Sequence, residues 1–291
     1  VTNPKNVKYA VENDISLTCP SKEWFESTLK ELEKIDGKLK FHIKIETGMN
    51  RIGISDEKEL MEIHNLFYSE KTEFEGIFSH YSNADGEDDE YDDYQTANFN
   101  RLVELFKFKP KYIHIDNSAG VIKYSDRDDI CNLSRIGIAL YGCYPSSNIE
   151  KLNKLSLEPV VSLVSKVTHV KKILKGTKVG YGISYEALED EYIATIPIGY
   201  ADGLLRRAQG FKVKVGSEEC EIVGRVCMDQ LMVRCSENTK VGDDVVFFGE
   251  YNDQKVSIDD FAAYQNTISY EVFCCINKRV PRKYYINNME L

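Results

Sequence analysis

The sequence predicts an α/β half followed by a mostly β half, and three observations carry that reading. Strand-like and helix-like segments alternate up to about residue 150. Beyond about residue 155, short strands follow one another across Gly and Asp turns, with no long helical period between them. The polar stretch Pro145-Ser-Ser-Asn-Ile-Glu-Lys151 separates the two patterns, which sets domains at 1–152 and 153–291.

The first half reads element by element. Ile15–Cys19 is a short apolar strand, and Pro20-Ser21 opens a helix with Trp24, Phe25, Leu29 and Leu32 on one face, ended by Asp36-Gly37. Lys40–Glu46 is the next strand, and a helix from about Ser55 buries Leu60, Ile63 and Phe67. Phe74–His80 is a strand, and the segment from about Asp89 to Phe106 is a helix with Phe99, Leu102, Val103 and Phe106 inward. Tyr112–Asp116 is a strand followed by a short helix from Ser118, and Arg135–Tyr141 is expected to close the series as a fifth strand. Such alternation implies right-handed parallel crossovers. Polar residues crowd the C-terminal ends of these strands, where a (β/α) barrel of the TIM type carries its chemistry. A closed barrel needs eight strands. The expectation is therefore a partial barrel lacking its first two or three units, in a chain that opens at Val1 without Met and reads as truncated. In the second half, Val160–Val167, Tyr192–Ile196, Phe211–Val215, Glu221–Val226 and Asp244–Phe248 read as strands.

Composition narrows the function. The formal net charge is −10, which argues against nucleic acid and against anionic lipid as partners. No apolar run approaches the roughly 20 residues that cross a bilayer, and the first residues have no apolar core of a signal peptide. The eight cysteines form no C-x-x-C pair, and free thiols in a reducing, cytoplasmic setting are expected. Between Asp85 and Tyr94 stand seven carboxylates. Their spacing fits no calcium loop, and a solvated loop leading into a helix N-terminus accounts for them. No set of His and carboxylate residues has metal-ligand spacing, so no metal is expected.

Eight segments, in order, carry a resemblance. They are Lys44-Ile-Glu-Thr-Gly-Met-Asn-Arg51-Ile-Gly, Phe78-Ser-His80-Tyr-Ser-Asn-Ala-Asp, His114-Ile-Asp-Asn-Ser118-Ala-Gly, Arg135-Ile-Gly-Ile-Ala-Leu-Tyr-Gly, Val179-Gly-Tyr181-Gly, Ile198-Gly-Tyr200-Ala-Asp-Gly, Arg225-Val-Cys-Met228-Asp-Gln and Ile268-Ser-Tyr270-Glu-Val. Together they resemble the alanine racemase family, fold-type III enzymes that use pyridoxal 5'-phosphate (PLP). The resemblance implies a PLP barrel followed by a β domain, active sites shared across a head-to-tail homodimer, and interconversion of L- and D-alanine for peptidoglycan.

It also implies roles. Racemisation takes the Cα proton from one face and returns it to the other, so two bases on opposite faces suffice. The family uses the PLP lysine and the tyrosine matching Tyr181. A free tyrosine has a pKa of about 10 and needs a cationic or hydrogen-bonding neighbour to act near neutral pH. His80 and Arg51 match the residues that contact it. Without the flanking motifs, Tyr181 would read as a β-turn aromatic. Arg135, held by His114, matches the arginine facing the pyridine nitrogen; an arginine keeps its proton, so the ring stays a modest electron sink. Ser118 and Asn117, the backbone of Gly137 and Ile138, and the Tyr270 hydroxyl match phosphate donors. Ser118 reads equally as an ordinary N-cap. Tyr200, Cys227 and Met228 match the substrate side, although a Cys-Met pair in a β domain is more often core. Lys44 matches a lysine often carried as a carbamate that orients Arg51; its other reading is an exposed strand lysine.

The sequence departs from the pattern in three places. No segment here matches the strand that bears the PLP lysine, since Lys5 and Lys8 follow no strand, so this chain alone is expected to lack activity. Gly180 stands where the family commonly has Ser, and Tyr81 where it has Phe. The serine racemases of vancomycin-resistance operons belong to the same family and remain an alternative, as does a non-catalytic relic. A metal-dependent barrel enzyme lacks ligands.

Overall fold

The computed structural model describes residues 1–67, 69–106, 110–127, 130–286 and 289–290. The chain divides into two compact units, residues 1–140 with 144–157, and residues 141–143 with 158–291. No described helix is long and apolar enough to cross a membrane.

The first unit opens with a 3-10 turn, Pro4–Asn6, and α1, Val7–Glu12. Sequence reading found neither, because only Val7 and Ala10 of α1 are buried, too few for a visible stripe. Then β1 (Leu17–Cys19), α2 (Lys22–Leu32), β2 (Leu39–Lys44), α3 (Glu57–Leu66), β3 (Thr72–Phe78), α4 (Glu90–Val103), β4 (Tyr112–His114) and α5 (Ser118–Lys123) alternate. The helix starts are set by side chains that take up an otherwise unpaired amide. Ser21 accepts from the Trp24 N–H at 3.2 Å, Asp56 from Glu59 at 2.9 Å and Asn117 from Gly120 at 3.0 Å. The strands form one parallel sheet in the order β1-β2-β3-β4.

The pleat gives this sheet two unlike faces. Leu39, Phe41 and Ile43 of β2 are buried with the helix residues Phe25, Leu32, Leu60 and Ile63 and with Phe67 just after α3. The Phe25 and Phe41 rings lie 4.8 Å apart, and those of Phe67 and Phe74 4.5 Å. Between the apolar residues of β2 stand Lys40, His42 and Lys44, and this alternation puts polar groups on the opposite face.

Two expectations need correction. Arg135–Tyr141 is not a fifth strand: Ile138–Tyr141 is a 3-10 helix. The Ile-Gly-Ile-Ala-Leu pattern suits a strand, but the N–H groups of Gly137 and Ala139 turn to the Ser118 hydroxyl, at 2.8 and 3.5 Å, instead of to a neighbouring strand. The acidic segment is not solvated throughout. Asp92 in α4 is buried, accepts from the Tyr124 hydroxyl at 2.6 Å and lies 3.5 Å from the Lys123 ammonium. A short α6, Ser147–Lys151, completes the unit.

The second unit has β5 (Leu163–Lys166), β6 (His169–Ile173), β7 (Lys178–Val179), β8 (Tyr185–Glu186), β9 (Glu191–Ile196), β10 (Lys212–Val215), β11 (Glu218–Val223), β12 (Leu231–Cys235), β13 (Asp244–Tyr251) and β14 (Gln254–Val256). Its main sheet runs β14-β13-β10-β11-β12-β9-β6, with β5 also paired to β13. Every pairing within it is antiparallel. β7 and β8 form a separate hairpin. Two short helices that sequence reading did not resolve, α7 (Ile258–Tyr264) and α8 (Ser269–Cys275), follow the sheet, and a last hairpin pairs β15 (Tyr285–Ile286) with β16 (Met289–Glu290). All eight cysteines are free thiols.

Candidate active site

The carboxyl ends of β2, β3 and β4 carry three of the expected residues, Lys44, His80 and His114, and Arg135 joins the two histidines. Lys44 ends β2 and is only 2% exposed; its Nζ donates to the Ile45 carbonyl at 2.5 Å and lies 3.5 Å from the Ser79 hydroxyl. The reading of an exposed strand lysine is thereby excluded. Burial, with the Arg135 and Arg51 charges against it and Glu46 in its favour, pushes the Lys44 amine down to about 8. His80 follows β3, and its Nδ1 accepts from Arg135 Nη2 at 3.0 Å. Burial, then the charges of Arg135, Arg51 and Lys44, push His80 down to about 4, so it is neutral with its proton on Nε2. His114 ends β4 and is pushed down to about 3, by burial first and then by Arg135.

Arg135 is the hub. It donates from Nη1 to His114 Nδ1, and from Nη2 to the carbonyls of Ser79 at 2.8 Å and Ile115 at 3.0 Å as well as to His80. All its hydrogen-bond partners are neutral, and it forms no ion pair among the described residues. Burial lowers it to about 10, so it remains a cation at neutral pH. Its guanidinium carbon lies 5.1 Å from the centroid of the Phe78 ring. A guanidinium has five N–H groups, and the Nε–H and one Nη1–H are outside these bonds.

Ser118, at the start of α5, is buried and takes the Gly137 and Ala139 amides on its Oγ. Asn117 spends its side chain on the α5 cap and on the Tyr81 carbonyl, 3.3 Å from its Nδ2. Ile138 is buried. A methyl built on Gly137 would meet nothing nearer than Ser118 Oγ at 3.7 Å, so that stretch of backbone is open to approach. A hydroxyl, open backbone and a cation with donors to spare fit the phosphate and pyridine ends of PLP. Arg51, in the loop after β2, is exposed and its guanidinium makes no ion pair among the described residues. Tyr81, the departure from Phe, keeps its hydroxyl satisfied by Thr96 at 2.7 Å and Arg127 at 3.3 Å.

The second unit holds the other expected residues. Tyr181 lies in the 3-10 turn Tyr181–Ile183 that links β7 to β8 and is 68% exposed. Gly180 and Gly182 take φ of +76° and +70°, which glycine adopts without strain, so the departure from the expected Ser at Gly180 suits the backbone. This turn packs on Gly224 and Arg225, 3.2 Å from where a Gly180 side chain would begin. Those residues lead into the Cys227–Met228 loop. Met228 is 55% exposed and Cys227 is half-buried, so the pair is not core. The Tyr200 and Ala201 amides donate to the carbonyls of Cys227 and Met228, each at 3.0 Å. Arg279, missed in the sequence, ties the two loops through Asp202 at 2.6 Å and Asp229 at 2.7 Å. Tyr270 sits in α8.

Chemistry gathered at the carboxyl ends of parallel strands, with a β domain in the same chain, defines an enzyme of the barrel-plus-β-domain class. Residues 1–145 match the family model for the alanine racemase N-terminal domain, and residues 160–284 that for the C-terminal domain. An alanine racemase from Lactobacillus gasseri is 43% identical over 290 residues, covering 98% of this chain and 76% of that protein. The crystal structure of alanine racemase from Bacillus anthracis with bound L-Ala-P is 37% identical and superposes with a TM-score of 0.92, over 100% of this chain and 76% of that one. A histidine racemase from Leuconostoc mesenteroides is 28% identical, with a TM-score of 0.86 over 95% and 74%. The chain belongs to the alanine racemase family, a family of isomerases.

Proposed function

We propose that this chain takes part in PLP-dependent interconversion of L- and D-alanine, as one subunit of a cytoplasmic homodimer with shared active sites. The observation that carries the reading is the half-buried Arg135 cation, held by neutral histidines beside the Ser118–Gly137 cradle. When bound, PLP acidifies the substrate's Cα–H by drawing electron density into its ring. Ser118, the Gly137 and Ile138 amides and the Tyr270 hydroxyl would hold its phosphate, the Gly137 N–H turning to it from Ser118 Oγ. Arg135 donates to the pyridine nitrogen and keeps its proton, which restrains the ring's pull and with it side reactions. Tyr181 moves the proton on one face of Cα, with His80 and Arg51 as the neighbours that ease its ionisation. Tyr200, Cys227 and the Met228 backbone border the substrate. The second base is a lysine that no motif of this chain matches: Lys5 lies in a 3-10 turn and Lys8 in α1, neither of them following a strand in sequence. Racemisation by the 291-residue chain with added PLP would refute that part.

The test is Tyr181→Phe in the active racemase. Loss of a general base costs about 10²–10⁴ in rate, with little change in substrate binding. Cα deuterium exchange should suffer more from L-alanine than from D-alanine. Equal, small losses on both enantiomers would leave Tyr181 a packing residue and end the two-base reading. Serine in place of alanine is the second reading, since an apolar pocket discriminates weakly against one added hydroxyl; the ratio of the two rates decides it.

A further inference from the structure

Behind Arg135, a chain of hydrogen bonds crosses the polar face of the parallel sheet. Arg135 Nη1 meets His114 Nδ1. His114 Nε2 lies 2.9 Å from His42 Nδ1, and His42 Nε2 lies 3.1 Å from Glu75 Oε2. The same carboxylate oxygen accepts from the Ser16 hydroxyl at 2.5 Å. Four strand segments thus contribute, from the approach to β1 through β2 and β3 to β4, and the rings are seated by aromatic neighbours. His42 stacks on Tyr112 with centroids 5.9 Å apart, and His114 on Phe78 at 4.9 Å.

The ends of this chain dictate its polarity. A guanidinium can only donate, and an ionised carboxylate can only accept. Glu75 is ionised: burial works against its charge, but the bonds from Ser16 and His42 hold it below the usual carboxylate range. His42 must therefore place its proton on Nε2, which leaves Nδ1 a lone pair. His114 must donate to that lone pair from Nε2, which leaves its own Nδ1 a lone pair for Arg135. A second proton on either ring would set two donors face to face. Burial favours the neutral form of both rings.

We propose that His42 and Glu75 are positioning residues, which lock His114 in its Nε2–H tautomer so that Arg135 is aimed as a donor and kept charged. This rests on the reading of Arg135 as the partner of the pyridine nitrogen. Protons along this chain can shift only away from Arg135, from Nη1 towards Glu75, so nothing in it can resupply a proton that the guanidinium gave up. Arg135 thus acts as a fixed cation and not as an acid. Gly76 belongs to the same device. A methyl there would lie 2.4 Å from His42 Nδ1, so only glycine leaves room for the imidazole.

Imidazole ¹⁵N NMR on the 291-residue chain, without cofactor, tests the lock directly, with rings assigned by single His→Phe substitutions. Both His42 and His114 should show only the Nε2–H pattern at neutral pH. An Nδ1–H or cationic pattern on either ring would overturn the proposal. Glu75→Leu removes one of the two ends that dictate the polarity, so an Nδ1–H share should appear on His42, and a smaller one on His114, which the Arg135 donor still biases; both rings wholly Nε2–H in the folded variant would show that Glu75 sets nothing. Should Glu75→Leu fail to fold, Gly76→Ala, which displaces the His42 ring, must produce the same mixture or the proposal fails. In the active racemase, Glu75→Leu should lower kcat for alanine by about one order of magnitude with KM little changed, the pattern of a lost transition-state interaction. Wild-type kinetics beside altered tautomers would overturn the positioning role. That result leaves the Tyr181→Phe test standing, so failure here and failure of the racemase reading are told apart.

Discussion

Acid should loosen the α/β unit well above the range in which its carboxylates titrate. His80 and His114 are neutral in the folded chain, pushed down to about 4 and about 3, whereas an unfolded histidine titrates near about 6.5. The sign follows from proton counts. Between these values the unfolded chain binds protons that the folded chain does not, so stability is full above about pH 6.5 and falls as pH falls. At about pH 5 the unfolded-state term is RT ln(1 + 10^1.5), about 2 kcal/mol per histidine, with almost nothing returned by the folded state. Solvent reaching the half-buried His80 reduces its share. A loss of about 3–4 kcal/mol between about pH 7.5 and 5 is therefore expected, and His42, also shifted down by burial, adds in the same direction. That is a large part of the 5–15 kcal/mol typical of a domain. Glu46 and Glu75 are held below their ordinary values and contribute only at lower pH, which keeps the window clean. The single tryptophan, Trp24, is buried in α2 of this unit and reports on it alone. Urea unfolding followed by its fluorescence at the two pH values gives the difference, and His80→Gln should shrink it by its own share. Equal stability at both values, or higher stability at about pH 5, would refute the account of the neutral histidines.

Three further outcomes follow from single sites. Gly137→Ala should change stability by less than about 0.5 kcal/mol, because a methyl there meets nothing nearer than 3.7 Å, yet PLP titration by absorbance should show weakened binding where the methyl meets the phosphate. Gly199→Ala should destabilise the β unit by about 1–3 kcal/mol in a far-ultraviolet melt, since its methyl would sit 2.3 Å from the Met228 carbonyl oxygen and 2.4 Å from that of Cys227. With Lys44 down at about 8, a sizeable share of free amine exists in mildly alkaline solution, so ¹³C-bicarbonate should give a carbamate resonance that Lys44→Met abolishes.

Much of the fold could be read from local chemistry. The Ser21 cap with its Trp24–Leu32 stripe, and the alternation along β2, are short-range signals that the tertiary structure keeps. Arg135–Tyr141 shows where such signals stop: its apolar pattern suits a strand, and the fold instead spends its amides on Ser118, 17 residues before Arg135 in the chain. The candidate site residues come from ordered motifs, because no lone Arg or Tyr reveals its partners. His42, Glu75 and Arg279 escaped for the same reason. A signal for His42 was present: Lys40, His42 and Lys44 alternate with Phe41 and Ile43 on a parallel strand, and a polar row inside an α/β sheet requires partners across it.

The contact between Gly76 and the His42 ring has an evolutionary consequence. The imidazole occupies space that exists only because residue 76 has no side chain. Neither position is free to drift while the other stays as it is. A lineage that gains a side chain at 76 must first give up the ring at 42, and with it the hydrogen bonds on either side. Across racemases the two positions should therefore change as a pair, and glycine at 76 should mark the sequences that keep histidine at 42.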